Sequence, residues 1–179
     1  MLIKPNKDWK WNFCHNQNRL TLEMGEGMVF VSAFEKRHLV NDAFNNEYLS
    51  VEQGEDFTLF FEKLDAQLPV PSNFVYQITL NCLAAKNFYK PLMPKSWFFA
   101  PAPALSSALL GNVVKLQSAT ECRHYVVVES NANASTLLLI EKSHVLNDVK
   151  SMAQFELIKV MNDRLIPVKF ESTERVNAA

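Results

Sequence analysis

Four histidines, three cysteines and four glycines carry most of the chemistry this 179-residue chain could attempt. Cys122 and His124 stand two apart, Cys14 and His15 are adjacent, and His38 and His144 stand alone. None of these pairs has the CxxC or HxxxH spacing of a zinc site. On a strand, Cys14 and His15 point to opposite faces and cannot share an ion. Core cysteines and surface histidines are the better reading. A cysteine nucleophile that meets a distant histidine only in space is compatible with the sequence. Cys82, however, falls on the apolar face of a helical pattern, which favours an inert thiol, and no GxSxG elbow is present. The one glycine cluster, Gly25-Glu26-Gly27, puts a carboxylate where a phosphate would have to sit and leads into a strand pattern. It reads as a hairpin turn. No metal, cofactor or catalytic residue is expected.

Two features suggest binding instead. Trp9, Trp11, Leu20, Leu22, Met24 and Met28 crowd the opening segment. A sheet packed on helices can leave a groove lined by such side chains for a partner peptide, although a place in the core is the better reading for any single one of them. Lys86, Lys90 and Lys95 cluster around the end of a helical segment. Lys86 and Lys90 lie four apart and repel slightly unless a partner or solvent relieves them. Cations also suit a helix C-terminus, a purely structural reason for their place.

The elements that must hold these residues follow from periodicity. Trp9, Trp11 and Phe13 alternate with polar residues, then Leu20, Leu22 and Met24 do so after the turn chemistry of Asn16-Gln17-Asn18. With a third strand from Met28 to Val31, this predicts a β-meander. Phe57, Phe60, Phe61 and Leu64 mark one helix, closed before Pro69 and Pro71. Phe74, Ile78, Cys82, Ala85 and Phe88 mark a second, capped by Ser72 or Asn73 and ended by Pro91. Residues 91–103 hold four of the eight prolines and predict a domain boundary, with Trp97, Phe98 and Phe99 packed down inside it. Beyond it Val113 to Leu116, Tyr125 to Val128 and Leu137 to Ile140 read as strands. Phe155 to Met161 and Leu165 to Phe170 read as a hairpin around Asn162-Asp163-Arg164. About five such strands suggest a small barrel or sandwich, and the polar tail after Phe170 is expected to fray. The class is α+β: an N-terminal α/β domain over 1–93, made of the meander plus helices, and a β-barrel-like domain over 94–179.

With the order of these elements in view, several segments become recognisable. KPLMPKSWFF (Lys90 to Phe99), IKVMNDRL (Ile158 to Leu165), IKPNKDWKW (Ile3 to Trp11), GMVF (Gly27 to Phe30), DAF (Asp42 to Phe44) and VVES (Val127 to Ser130) together resemble the ZapC family of bacterial cell-division proteins. The matches run in order along nearly the whole chain, and MPKSW and MNDRL are the most distinctive. The resemblance implies a cytoplasmic, non-enzymatic component of the mid-cell division ring. Such a protein binds FtsZ, the tubulin-like GTPase, promotes lateral association of its filaments and dampens its GTP hydrolysis. It also implies two domains, the first with a pocket and the second barrel-like. Lys90 and Lys95, at the two ends of KPLMPK, and Arg164 in MNDR match the family's basic FtsZ-binding positions. Leu22 marks its apolar pocket, and the C-terminal peptide of FtsZ is the implied ligand.

Bulk properties agree. A net charge of −1 supplies no global field toward nucleic acid or an anionic membrane. Three widely spaced cysteines fit reduced thiols in the cytoplasm. The opening MLIKPNKDWKW has charges and a proline where a signal peptide needs an apolar run, and no stretch approaches the roughly 20 apolar residues of a membrane span. Three rival readings are an adaptor for another cytosolic partner, a small-molecule enzyme using the N-terminal pocket, and a nucleic-acid binder built on the second domain. The sequence shows no coiled coil or dimer face, so self-association is left open.

Overall fold

Trp11 and Phe13 on one strand, and Leu20 and Leu22 on the next, turn to the same side and are buried, as the alternation requires. The computed structural model describes residues 3–106 and 108–168. Strands β1 (Lys10–Cys14), β2 (Arg19–Glu23) and β3 (Val29–Val31) form the expected antiparallel meander, in the order β1-β2-β3. Gly25 holds φ at +84° in the second turn, a left-handed conformation that glycine adopts without steric cost.

Helix α1 (Val51–Gln67) begins with a reciprocal cap between Ser50 and Gln53. It buries Phe57, Phe60 and Leu64. Helix α2 (Ser72–Phe88) differs from the expectation in two respects. Pro71 occupies the cap position with no side-chain hydrogen bond, so Ser72 is the first helical residue and not the cap. Nor is α2 buried on one stripe. Val75, Ile78, Thr79, Leu80, Asn81, Cys82, Leu83, Ala84, Ala85 and Phe88 are all buried, and a helix covered all round is what a central packing element looks like.

The second half supplies the other cover. Strands β4 (Val113–Gln117), β5 (Cys122–Ser130), β6 (Ala134–Leu139), β9 (Leu157–Met161) and β10 (Ile166–Pro167) form one antiparallel sheet in the order β10-β4-β5-β6-β9. Strands β7 (Ser143–Val145) and β8 (Ser151–Ala153), absent from the sequence reading, make a separate two-stranded ribbon. The α+β class is as expected, but the five-stranded sheet does not close into a barrel. The expected hairpin around Asn162-Asp163-Arg164 is also not formed. That stretch is a single 3-10 turn, and β10 crosses to pair with β4 at the opposite edge. One side of β9 is already held by β6. On the other side the Lys95 amide donates to the Lys159 carbonyl, and the Met161 amide donates to Ser96 Oγ. Pro167, which lacks an N–H, suits an edge strand. The last residues of the expected strand and the tail after Phe170 lie outside the described residues.

Tyr125, Val126, Val127 and Val128 are all at most 1% exposed, so β5 is covered on both faces. Val113, Val126, Val128, Leu138 and Leu157 join the core around α1 and α2. Val114, Leu116, Tyr125, Leu137 and Val160 face a second core, closed by Phe99, Leu146, Met152 and Leu165.

Candidate functional site

The proline-rich segment lies along the outer edge of β9, with Pro94 bridged in parallel to Lys159. A 3-10 turn over Ser96–Phe98 follows. Phe99 then enters the second core, and the Ala100 amide donates to the Gln117 carbonyl. Pinned at both ends, the turn presents Trp97 to solvent at 72% exposure. The expectation that all three aromatics pack down therefore holds for Phe99 and fails for Trp97. The reason is geometric: consecutive residues of a tight turn face different directions, so Phe99 enters the sheet interior, Phe98 packs partly against it and Trp97 points away.

Two of the sequence-predicted residues meet here. Arg164 Nε donates to the Ser96 carbonyl at 3.3 Å, and its Nη1 lies 2.9 Å from Asp163 Oδ1. This brings Arg164 beside Lys95 although the two are far apart in the chain. The Lys95 amine is pushed below its ordinary value, first by the hydrogen-bonding proximity of Lys150, then by the charge of that neighbour. Lys150, which sequence reasoning missed, stands at the end of the β7–β8 turn. Its Nζ lies 5.7 Å from the centre of the Phe98 ring, and Phe98 is 5.7 Å from the Trp97 ring. No sequence signal marked Lys150, because the two three-residue strands that position it are too short to show a period.

Lys90 is exposed and sits a short distance upstream. Its Nζ donates to the Arg37 carbonyl at 3.0 Å. It helps line a cleft of about 370 Å³ between the end of α2 and the sheet, together with Lys86, Tyr89, Glu129 and Lys159. Lys86 is committed to Asp56 at 2.5 Å. Leu22 is elsewhere: it is fully buried, paired across the meander with Trp11 and Phe30, and lines neither this cleft nor the larger one. The larger cavity, about 980 Å³, lies where the N-terminal segment crosses α1 and is walled by Ile3, Val51, Leu59, Phe61 and Tyr76. Met24, two residues beyond Leu22, touches that wall through its sulfur, 3.7 Å from the Tyr76 hydroxyl. Cys82 is fully buried and burial drives its pKa far upward, so it stays a neutral thiol. Among the described residues no group of three or more His, Cys, Asp or Glu could hold a metal ion. Among them, too, no helix is long and apolar enough to cross a membrane.

Two family models account for almost the entire chain. One, described as cell-division protein ZapC, N-terminal, matches residues 2–90, and the other, cell-division protein ZapC, C-terminal, matches residues 91–171. Relatives named cell division protein ZapC agree over comparable lengths. That of Ferrimonas balearica is 39% identical over 179 residues, the whole of both chains. That of Shewanella woodyi is 37% identical over 169 residues, 94% of this chain and 93% of its own. That of Aliivibrio salmonicida is 34% identical over 165 residues, 92% of each. Identity at this level along the full length, through both halves, means that the chain belongs to the ZapC family of cell-division proteins.

Proposed function

We propose that this chain acts without catalysis of its own, as a cytoplasmic component of the division ring that binds FtsZ directly. It promotes lateral bundling of FtsZ filaments and lowers their GTP hydrolysis. The observation that carries this reading is the meeting of Lys95 and Arg164 around Ser96, with Lys90 five residues upstream on the same segment. An extended chain spans about 3.5 Å per residue, so Lys90 and Lys95 are at most about 17 Å apart and one peptide can reach both. Carboxylates on the C-terminal peptide of FtsZ complement these cations and speed encounter. Membership in a cell-division family supports the partner class. In this reading residues 1–93 and 94–179 are two domains, each with its own sheet, that share the core around α2. Leu22 contributes indirectly, as part of the packing behind the Met24–Tyr76 wall of the larger cavity, because no partner atom reaches it in this conformation.

Lys90 gives the cleaner test, since its bond to the Arg37 carbonyl is exposed, whereas Arg164 holds the part-buried Ser96 carbonyl and Asp163. Lys90→Glu is expected to reduce co-sedimentation with GTP-assembled FtsZ filaments several-fold and to reduce the rise in light scattering, with an unchanged thermal midpoint. Undiminished co-sedimentation would sink the assignment. Bundling further requires two binding surfaces, on one chain or on two copies, so sedimentation equilibrium of the free protein belongs with the same experiment.

A further inference from the structure

The described residues end at Val168, which packs against the first core. Strand β10 runs antiparallel to β4, with Ile166 opposite Lys115 and Pro167 opposite Val114. Its course therefore points past Val113 toward Gly111 and Leu110. Counted on in the same register, Glu171 falls opposite Leu110. Lys63 of α1 already stands at that place. Its amine donates to the Leu110 carbonyl at 2.6 Å, and its stem lies so close to Gly111 that an added Cβ there would be 3.2 Å from Lys63 Cδ. Desolvation holds that amine below its ordinary value, with no carboxylate to oppose the effect. A half-buried ammonium bonded only to a neutral carbonyl is left under-compensated.

Lys63 also lines the larger cavity, and two more charged residues, Lys4 and Glu55, line it beside Ile3, Leu59 and Tyr76. Among the described residues Lys4, Glu55 and Lys63 form no ion pair. Glu55 and Lys63 are eight residues apart on α1, about 12 Å along its axis. Glu171 and Arg175 are four apart, about 13 Å in an extended chain. An acidic residue arriving at Lys63 thus brings a basic one to Glu55. Side chains alternate along an extended chain, so Glu174 turns away from α1, toward Lys4 on the opposite wall. Tyr76 fixes that wall, since its hydroxyl donates to the Ile3 carbonyl at 2.7 Å.

We infer that the larger cavity is the dock for the chain's own segment 169–176, which crosses it extended, with Glu171 on Lys63, Glu174 on Lys4 and Arg175 on Glu55. The inference goes beyond the FtsZ reading and does not depend on it. Composition alone marks this polar segment as frayed; the direction of β10 and the matched charge spacing give it a place. Exposed ion pairs are each worth little. Val168 is already seated on the core that α1 shares, so the tether is short and the effective concentration of the segment at the cavity is high. Docked there, the segment ties the end of the five-stranded sheet to α1. A partner side chain that enters this cavity has to displace it.

The test places a nitroxide on the full chain at Asn177→Cys, in a background of Cys14→Ser and Cys122→Ser. Cys82 is buried and neutral, and does not compete for the label. In the nuclear magnetic resonance spectrum the amide signals of Gly54 and Glu55 should broaden, while those of β7 and β8, beyond the sheet, keep their intensity. Glu171→Lys should reduce the broadening several-fold. Adding Lys63→Glu to it should restore most of the effect, a recovery that a folding defect does not give. Absence of broadening at Gly54 and Glu55 in the starting protein would refute the dock. Full broadening in Glu171→Lys would overturn the charge pairing that sets its register. A mixture of isotope-labelled chains without nitroxide and unlabelled chains carrying it should show no broadening. Broadening in that mixture would overturn the assignment in favour of a second copy's segment.

Discussion

Around α2, polar groups are settled mainly by the helix's own carbonyls, whereas inside the second core a titratable ring is buried among partners from other segments. Thr79 donates to the Val75 carbonyl at 2.8 Å. Asn81 donates to the Gln77 carbonyl and accepts from the Ala33 amide. The exceptions are the Trp9 indole N–H and His38 Nδ1, which have no partner among the described residues. In the second core His144 is fully buried, with Nδ1 2.7 Å from the Tyr125 hydroxyl and Nε2 3.1 Å from the Glu121 carbonyl. Because a carbonyl can only accept, Nε2 carries the proton and Nδ1 accepts from Tyr125. One core therefore depends on volume, and the other depends also on a protonation state.

The strongest way to break the contrast is to remove volume from the first core. Phe60 is fully buried on α1, and its cluster includes Val113, Val126 and Leu138 of the sheet. Phe60→Ala should cost about 3–5 kcal/mol. Urea unfolding followed by tryptophan emission and by far-ultraviolet dichroism should move to lower denaturant as one coincident transition. Two separated transitions would show that the shared core does not couple the halves.

Acid should distinguish the cores next. Burial holds the His144 pKa below its usual value, opposed by the Glu121 carbonyl, Glu121 and Glu141 and reinforced by Arg123. The unfolded ring titrates near about 6.5. The folded value is depressed, so this contribution to stability is complete above about pH 6.5 and is lost as pH falls toward the folded value. His38, stacked on Tyr89 at the margin of the first core, is lowered in the same direction by burial and by Arg37. Thermal midpoints between pH 7 and pH 5 should therefore fall, and His144→Gln should remove part of that fall and leave the His38 share. Tyr125→Phe, which strands Nδ1, should cost about 1–3 kcal/mol at pH 7. An unchanged pH slope in His144→Gln would mean that burial leaves the ring's proton affinity as it is in the unfolded chain.

How much of this was legible follows the same division. The meander and α1 were readable because local alternation and the i, i+3, i+4 pattern report burial on one side. The complete burial of α2 was not, since Thr79 and Asn81 look like a solvent face until their bonds to the preceding helical turn and, for Asn81, to the Ala33 amide are seen. Strand β10 was misassigned to β9 because edge pairing depends on what already occupies each edge, here Lys95 and Ser96. At the candidate site, Lys90 and Lys95 stood out as a basic cluster at the end of a helical segment, whereas Arg164 came only from resemblance to a family. Periodicity marked Leu22 correctly as inward-facing, but an inward-facing residue can line a core or a pocket with the same pattern. Trp97 was visible in the sequence and its exposure was not, because exposure was set by the direction of one turn.

The smallest expected effect concerns how the two cores are joined. Gln67, on the last turn of α1, donates from Nε2 to the Lys63 and Gly111 carbonyls at 2.8 and 2.9 Å, and its Oε1 accepts from the Val113 amide at 3.0 Å. Val113 starts β4 and is 4% exposed, so Gln67→Ala leaves its N–H without that acceptor, at a cost of about 1–2 kcal/mol. Hydrogen exchange resolves this better than a melting curve. The Val113 amide should exchange many-fold faster in the variant, while Tyr125, bonded within the sheet, keeps its protection. Equal exchange at Val113 in both proteins would assign the joint to apolar packing on α2 alone. The side-chain amide would then be a consequence of that packing and not one of its causes.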